Sequence, residues 1–243
     1  MPNQKILTLD NLSLQELQSD AELIPLLTPE DEEEMNNEAL PSDLPILPLR
    51  NTVLFPGVVI PITAGRDKSI KLINDANAAG KVIGVVSQID ESVEEPTPAD
   101  VHHIGTVAQI IRVLKMPDGN ITVILQGKKR FEIDAFTQEE PYLKATIKEF
   151  NETRPRKTDV EFNAIVDSIK DLAIEIIKES PNIPTEATFA IKNIESSPFL
   201  INFVSSNMNL SVSDKQGLLS INNLKDRALE TLRFMNLEMQ KLE

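Results

Sequence analysis

The chain has 243 residues, 41% of them hydrophobic, enough for one large domain or two small ones with real cores. Its net charge is −14, and it has neither Cys nor Trp, which excludes disulfides, thiolate metal sites and a cysteine nucleophile. No apolar run reaches the ~20 residues that cross a bilayer, and the start lacks the basic and apolar regions of an export signal, so a cytoplasmic protein without a membrane anchor is expected.

The charge is uneven. Before Leu44, eleven acidic side chains stand against Lys5 alone, and the rest of the chain is nearly neutral. Such a balance repels phosphate backbones, so nucleic acid is a poor partner. Residues 1–43 are acid-rich and carry only isolated apolar patches such as Leu23, Ile24, Leu26 and Leu27, too few to offset the entropy of ordering. An acidic, largely disordered extension is expected. Within it, Glu30 to Glu34 reads as a solvated run or a docking tail, and Leu12 to Leu17 as a short turn able to dock on a partner.

Residues 44–151 read as β-rich with one helix. Leu44–Leu49 and Val53–Ile62 are apolar segments broken by Pro45, Pro48, Pro56 and Pro61, which suits edge strands and corners. Arg66–Ala79 has helical spacing at Ile70 and Ile73, with Gly80 placed to end it. Val82–Val86 follows as a short strand, and Asp90–Asp100 as an exposed acidic loop. Ile104–Met116 and Ile121–Gln126 flank Pro117-Asp118-Gly119-Asn120, a tight-hairpin signal. Arg130–Phe136 and Tyr142–Phe150 alternate as further strands, and a small curled or closed barrel results.

From 155 to 243 the period changes to that of helices. Thr158 and Glu161 have capping-box spacing, and Phe162, Ile165, Val166, Ile169, Leu172, Ala173, Ile176 and Ile177 form one apolar stripe ending at Ser180-Pro181. Two shorter helices are expected, one after Pro184 and one with Ser197 as N-cap and Pro198 first. Ser213 and Gln216 then open a helix whose seam of Leu218, Ile221, Ala228, Leu232, Met235, Met239 and Leu242 is interrupted only by Lys225. No stop signal precedes Glu243, which suggests a truncated last helix.

The sequence contains no phosphate loop, no G-x-S-x-G elbow and no H-E-x-x-H helix, so no catalytic or cofactor-binding residue is assigned. His102 and His103 are adjacent in an extended segment and point to opposite faces, which makes a shared metal ion a poor reading. The acidic loop around Asp90, Glu91, Glu94 and Glu95 lacks a calcium-loop pattern. Lys128, Lys129 and Arg130 are too few for a nucleic-acid footprint and suit strand-end capping or pairing with acids.

The run Leu44-Pro45-Ile46-Leu47-Pro48-Leu49-Arg50-Asn51-Thr52-Val53-Leu54-Phe55-Pro56-Gly57 resembles the opening of the amino-terminal domain of Lon-type ATP-dependent proteases. The resemblance continues in order through Pro61, Gly65-Arg66, Ser69, Gln88, Pro96, Ile104-Gly105-Thr106-Val107-Ala108, Gly127 and Arg130-Phe131, and less specifically through the helical part. It implies an α+β fold: a β-rich, PUA-like pseudo-barrel with one helix, then an all-α bundle ending in a long helix that leads towards an AAA+ module. It also implies a hexameric, ATP- and Mg-dependent serine protease with a Ser-Lys dyad as the parent, neither of whose sites maps onto these residues. The acidic extension and His102-His103 depart from the family pattern.

The role implied for this part is capture of unfolded or tagged proteins, and assembly. Clients without a fixed epitope call for adaptable apolar contacts near turns or strand edges, which makes Leu54, Phe55, Val58 and Met116 the candidate client contacts. Each also reads as ordinary core, Phe55 most of all. Two other readings stand beside this one: a stand-alone Lon-domain adaptor or folding factor, and an RNA-binding PUA-like module, which the acidic balance disfavours.

Overall fold

The computed structural model describes residues 27–183 and 187–242. The expected docking turn at Leu12–Leu17 and the patch from Leu23 to Leu26 lie outside these residues. Among those described, a six-stranded sheet and seven helices follow one another: α1 (Pro29–Asn37), β1 (Asp43–Leu49), β2 (Val59–Ala64), α2 (Asp67–Ala78), β3 (Val82–Ser87), β4 (Ile104–Lys115), β5 (Ile121–Gln138), β6 (Lys144–Glu149), α3 (Val160–Glu179), α4 (Ala187–Asn193), α5 (Ser197–Asn207), α6 (Val212–Leu219) and α7 (Leu224–Leu242). No described helix is long and apolar enough to cross a membrane.

The strand order is β2-β5-β4-β3-β1-β6, and β5 pairs again with β6. Strands β5, β4, β3, β1 and β6 therefore close a barrel, with β2 laid beside the first half of β5. Closure depends on the length of β5, expected as two strands and found as one. Register breaks at Ile133/Ala135 and Phe136/Gln138 bend its second half onto β6. Gly127 keeps it continuous where Phe55-Pro56 crosses: a Cβ there would lie 2.3 Å from Phe55 O. The hairpin between β4 and β5 forms at Gly119 (φ +89), with Met116 N–H donating to Asn120 O at 2.9 Å.

The prolines of β1 were expected at an edge, but β1 lies between β3 and β6. Ile46 N–H donates to Leu143 O on the β6 side and Gln88 N–H donates to Leu49 O on the β3 side, so successive residues bond to opposite neighbours. The β6 ladder covers Asp43–Pro45 and the β3 ladder Ile46–Leu49. Pro45 and Pro48 thus turn their missing donors towards sides where pairing has not begun or has already ended.

Successive residues of β1 and β3 enter opposite cores. Ile46 and Val86 pack with Phe131, and Leu47, Leu49, Ile83 and Val85 pack with Leu72 and Ile73 of α2. A third core joins the apolar stripe of α3 to Phe199, Ile201, Ala228 and Met235, and takes in Val53, Phe55 and Val58 from the β1–β2 loop. Sheet and bundle therefore share one packed boundary.

Several boundaries differ from expectation. Residues 1–43 read as a largely disordered extension; within its described part, Pro29–Asn37 is helical because Thr28 and Asp31 form a capping box with Pro29 in the first turn. Helix α2 ends at Ala78, and the left-handed residue after it is Lys81 (φ 60), not Gly80. The N-cap of α3 is Asp159, one residue after the expected Thr158, and those of α5 and α6 are Ser196 and Ser211, one and two residues before the expected Ser197 and Ser213. The seam from Leu218 to Leu242 is two helices: α6 ends at Leu219, and Asn223 accepts Asp226 N–H to start α7.

Gly127→Ala should destabilise the fold by about 3 kcal/mol, since its neighbour is backbone that cannot rotate aside. A lowered urea midpoint with an unchanged slope is the expected result.

Candidate functional site

Where the barrel meets the bundle, five charged side chains from four parts of the chain converge. Glu152, just after β6, lies at the centre. Its Oε2 accepts from Arg130 Nη2 of β5 (2.7 Å) and from Arg227 Nη2 of α7 (3.1 Å), and its Oε1 accepts from Arg154 Nε (2.7 Å). Arg130 Nη1 also donates to Leu219 O (2.7 Å) and Ile221 O (2.8 Å), tying β5 to the turn between α6 and α7. Its guanidinium stacks 4.6 Å from the Phe150 ring centroid. Arg227 donates to Asn202 of α5, and Arg154 Nη2 reaches Glu32 Oε1 of α1 at 2.7 Å. Ser196, the cap of α5, donates to Glu32.

Arg227 is wholly buried. Desolvation lowers its pKa to about 10, against the opposing pull of Glu152. Burial pushes the Glu152 carboxyl up, but Arg227, Arg130 and Arg154 outweigh it and hold the carboxyl below its ordinary 4.5. Burial also lowers Arg130. In Arg154, by contrast, burial is overcome by Glu152 and Glu32, and the pKa rises. The group is a cluster of paired charges with a surplus of one arginine, and every member orients a neighbour.

The joint is reinforced by backbone. Thr153 N–H donates to Asn222 O (3.0 Å), Leu224 N–H donates to Thr153 O (2.9 Å), and Gln216 Nε2 donates to Ile104 O (3.0 Å). Lys225, the interruption in the expected seam, bridges Asp159 and Glu161 at the start of α3.

Three of the four candidate client contacts are core. Leu54, Phe55 and Val58 are only 2%, 0% and 6% exposed: Leu54 packs with α2 and the barrel strands, while Phe55 and Val58, beside the turn at Gly57 (φ +78), are covered by the bundle. Met116 alone remains half-exposed, beside the hairpin tip, with Ile111 of β4 52% exposed on the same hairpin. Strand β2 has a free side, but Gly127 N–H donating to Val58 O fixes its phase so that Val59, Pro61 and Thr63 face outward. Pro61 removes the middle donor of that edge and blunts it against strand addition.

Clefts open on the surface of the described residues. One of about 960 Å³ runs between α1, Arg130, residues 152–157 and Phe199. A second, about 320 Å³, lies between β1, the start of α2 and the 94–96 loop. Arg66 lines the second and donates to Glu94 O (3.0 Å) and Gln88 Oε1 (3.1 Å), while Arg50 donates to Val93 O (3.3 Å), so both hold the acidic loop in place. Burial, then His103, lowers the pKa of His102, and His103 meets Phe136 edge-on at 6.1 Å. Among the described residues no three His, Asp or Glu side chains are grouped to hold a metal ion.

Residues 43–237 match the family model of the ATP-dependent protease La (LON) substrate-binding domain. The chain belongs to that Lon family. It is 78% identical over 243 residues to the Lon protease of Flavobacterium johnsoniae, covering 100% of this chain and 30% of that protein. It is 46% identical over 222 residues to the Lon protease of Cytophaga hutchinsonii, covering 91% of this chain and 27% of that protein. The chain thus spans less than a third of the curated relatives it matches. Its fold is similar to the N-terminal domain of Mycobacterium avium complex Lon protease (TM-score 0.66, 20% identity, 80% of this chain and 98% of that one). It is also similar to the Lon N-terminal domain protein of Xanthomonas campestris (TM-score 0.56, 16% identity, 80% and 99%). The match to the Lon family model takes in the barrel and the bundle together.

Sequence reasoning assigned Arg130 to pairing with acids but missed Glu152, Arg227 and Glu32. Glu152→Gln should cost the Lon domain about 3–5 kcal/mol, because it strands buried guanidinium groups. A carboxyl whose folded pKa is depressed contributes stability that is complete above its ordinary 4.5 and lost as pH falls through the lower folded value. Urea titrations from pH 7 to pH 3 should therefore show wild type losing part of its advantage over the variant below that point.

Proposed function

We propose that this Lon domain captures unfolded or tagged polypeptides for an ATP-dependent serine protease and helps assemble it, while doing no catalysis itself. The observation that carries this reading is the continuous match of residues 43–237 to a substrate-binding domain, across both halves that Glu152 joins. The parent would be a cytoplasmic homohexamer that holds ATP and Mg²⁺ in an AAA+ module and cleaves with a Ser-Lys dyad, both outside this sequence.

The surface chemistry supports polypeptide over nucleic acid. Arg130, the end of the one compact basic cluster, is spent inside the protein on Glu152 and two carbonyls. The exposed Ile111 and half-exposed Met116 offer an adaptable apolar contact on a hairpin, suited to clients that present side chains rather than shape. Such contacts are weak singly and strengthen when several subunits engage one client.

The chain lacks Trp, so the Trp fluorescence of a permanently unfolded client such as reduced, carboxymethylated α-lactalbumin reports binding directly. Micromolar binding, weakened severalfold by Ile111→Asp with Met116→Asp, and no cleavage with ATP and Mg²⁺ are expected. Cleavage by the purified chain, or no binding at all, would overturn the reading.

A further inference from the structure

Helix α1 is attached lightly. Between Leu27 and Glu38, only Leu27, Glu32 and Met35 are buried, and the remaining side chains face solvent or lie half-covered. Leu27 packs at the seam itself: a Cβ on Gly57 would lie 3.1 Å from Leu27 Cδ2 and 2.8 Å from Phe199 Cδ2, so these three groups are in close contact. Met35 belongs to the same apolar cluster. Glu32 sits between them and points its carboxylate at Arg154 and Ser196.

Lifting α1 would leave no buried charge unpaired. Arg154 keeps its bond to Glu152 Oε1 (2.7 Å), and Ser196 keeps its cap on Phe199 N–H (3.2 Å). A helix of nine residues has little stability alone, and two apolar side chains, the Arg154–Glu32 ion pair, the Ser196 hydrogen bond to Glu32 and a Lys129 Nζ bond to Glu38 O (3.3 Å) must offset the ordering of the whole segment. The cleft of about 960 Å³ alongside shows that α1 fills its groove only in part.

From this geometry we infer that the groove of Gly57, Phe199, Arg154 and Ser196 is a polypeptide-binding site that residues 27–37 occupy in cis, and that client segments displace them. The occupant in trans is a helix-forming segment that repeats the chemistry of the resident: an apolar residue, a carboxylate five positions on, and an apolar residue three further. This deepens the proposed function and rests on it, since it names where clients bind and which they are.

The test uses the full chain and a labelled peptide with the sequence of residues 27–38. Its anisotropy should show binding at least tenfold tighter to a chain carrying Leu27→Ser and Met35→Ser, whose own helix is released, than to wild type. Glu32→Gln in the peptide should weaken binding at least tenfold, and carboxymethylated α-lactalbumin should displace the peptide. In unsubstituted chain, saturating client should speed amide exchange at 29–37 at least tenfold, a readout that does not depend on the variant folding. Equal peptide binding to both chains with unchanged exchange would overturn the inference, as would a client-free dimer formed by exchanging α1. Client that binds but leaves the peptide seated removes the groove alone. Client that fails to bind either chain removes the reading above as well.

Discussion

One carboxylate facing three guanidinium groups sets the geometry of the whole molecule. Glu152 accepts from Arg130 of the barrel, Arg227 of the last helix and Arg154 of the connector, so its position decides how barrel and bundle meet. Burying such charges costs desolvation that mutual attraction only partly offsets, which is why Arg227 loses much of its proton affinity. Its contribution is orientation more than net stability: any other docking of the bundle against the barrel leaves a charge without a partner. The apolar boundary of Phe55, Val58, Phe199 and Ala228 supplies attraction but no register of its own.

That constraint links fold to function. The capture of polypeptide proposed above calls for a fixed angle between the surface that grips and the bundle behind it. Arg130 reaches from β5 to the carbonyls before α7, a direct strut between the two. The same junction carries α1 on Arg154, so the groove beneath that helix is built on the Glu152 node. Client capture at the hairpin around Met116 and at the groove would then be two contacts on one rigid frame.

Much of this was legible in the residues. Short apolar runs marked β3 and β4, alternation marked β6 and the second half of β5, Asp118-Gly119 marked the hairpin, and the stripe from Phe162 to Ile177 marked α3, because each is a local pattern with one energetic solution. What failed was long-range. Proline in β1 reads as an edge until two staggered ladders are seen to use opposite halves of the strand. Gly127 reads as a break until Phe55-Pro56 is found crossing it. Glu32 reads as one of five solvated acids, although Thr28-Pro29 with Asp31 was a sufficient capping signal for its helix. Little local marks Glu152 or Arg227: apart from Arg154, two residues after Glu152, their partners lie 22 to 75 residues away and meet only in the folded chain. Of the expected client contacts, Leu54, Phe55 and Val58 are buried for a related reason, since apolar residues beside a turn look exposed until distant elements cover them.

The most direct test of the account is native-state amide exchange across increasing, sub-denaturing urea, comparing core amides of β4 and β5 with those of α3 and α7. If the Glu152 node joins barrel and bundle into one body, both sets should merge into a single opening with the same free energy and the same urea dependence. Bundle amides that open at distinctly lower urea while the barrel stays protected would mean two independent domains and would contradict it.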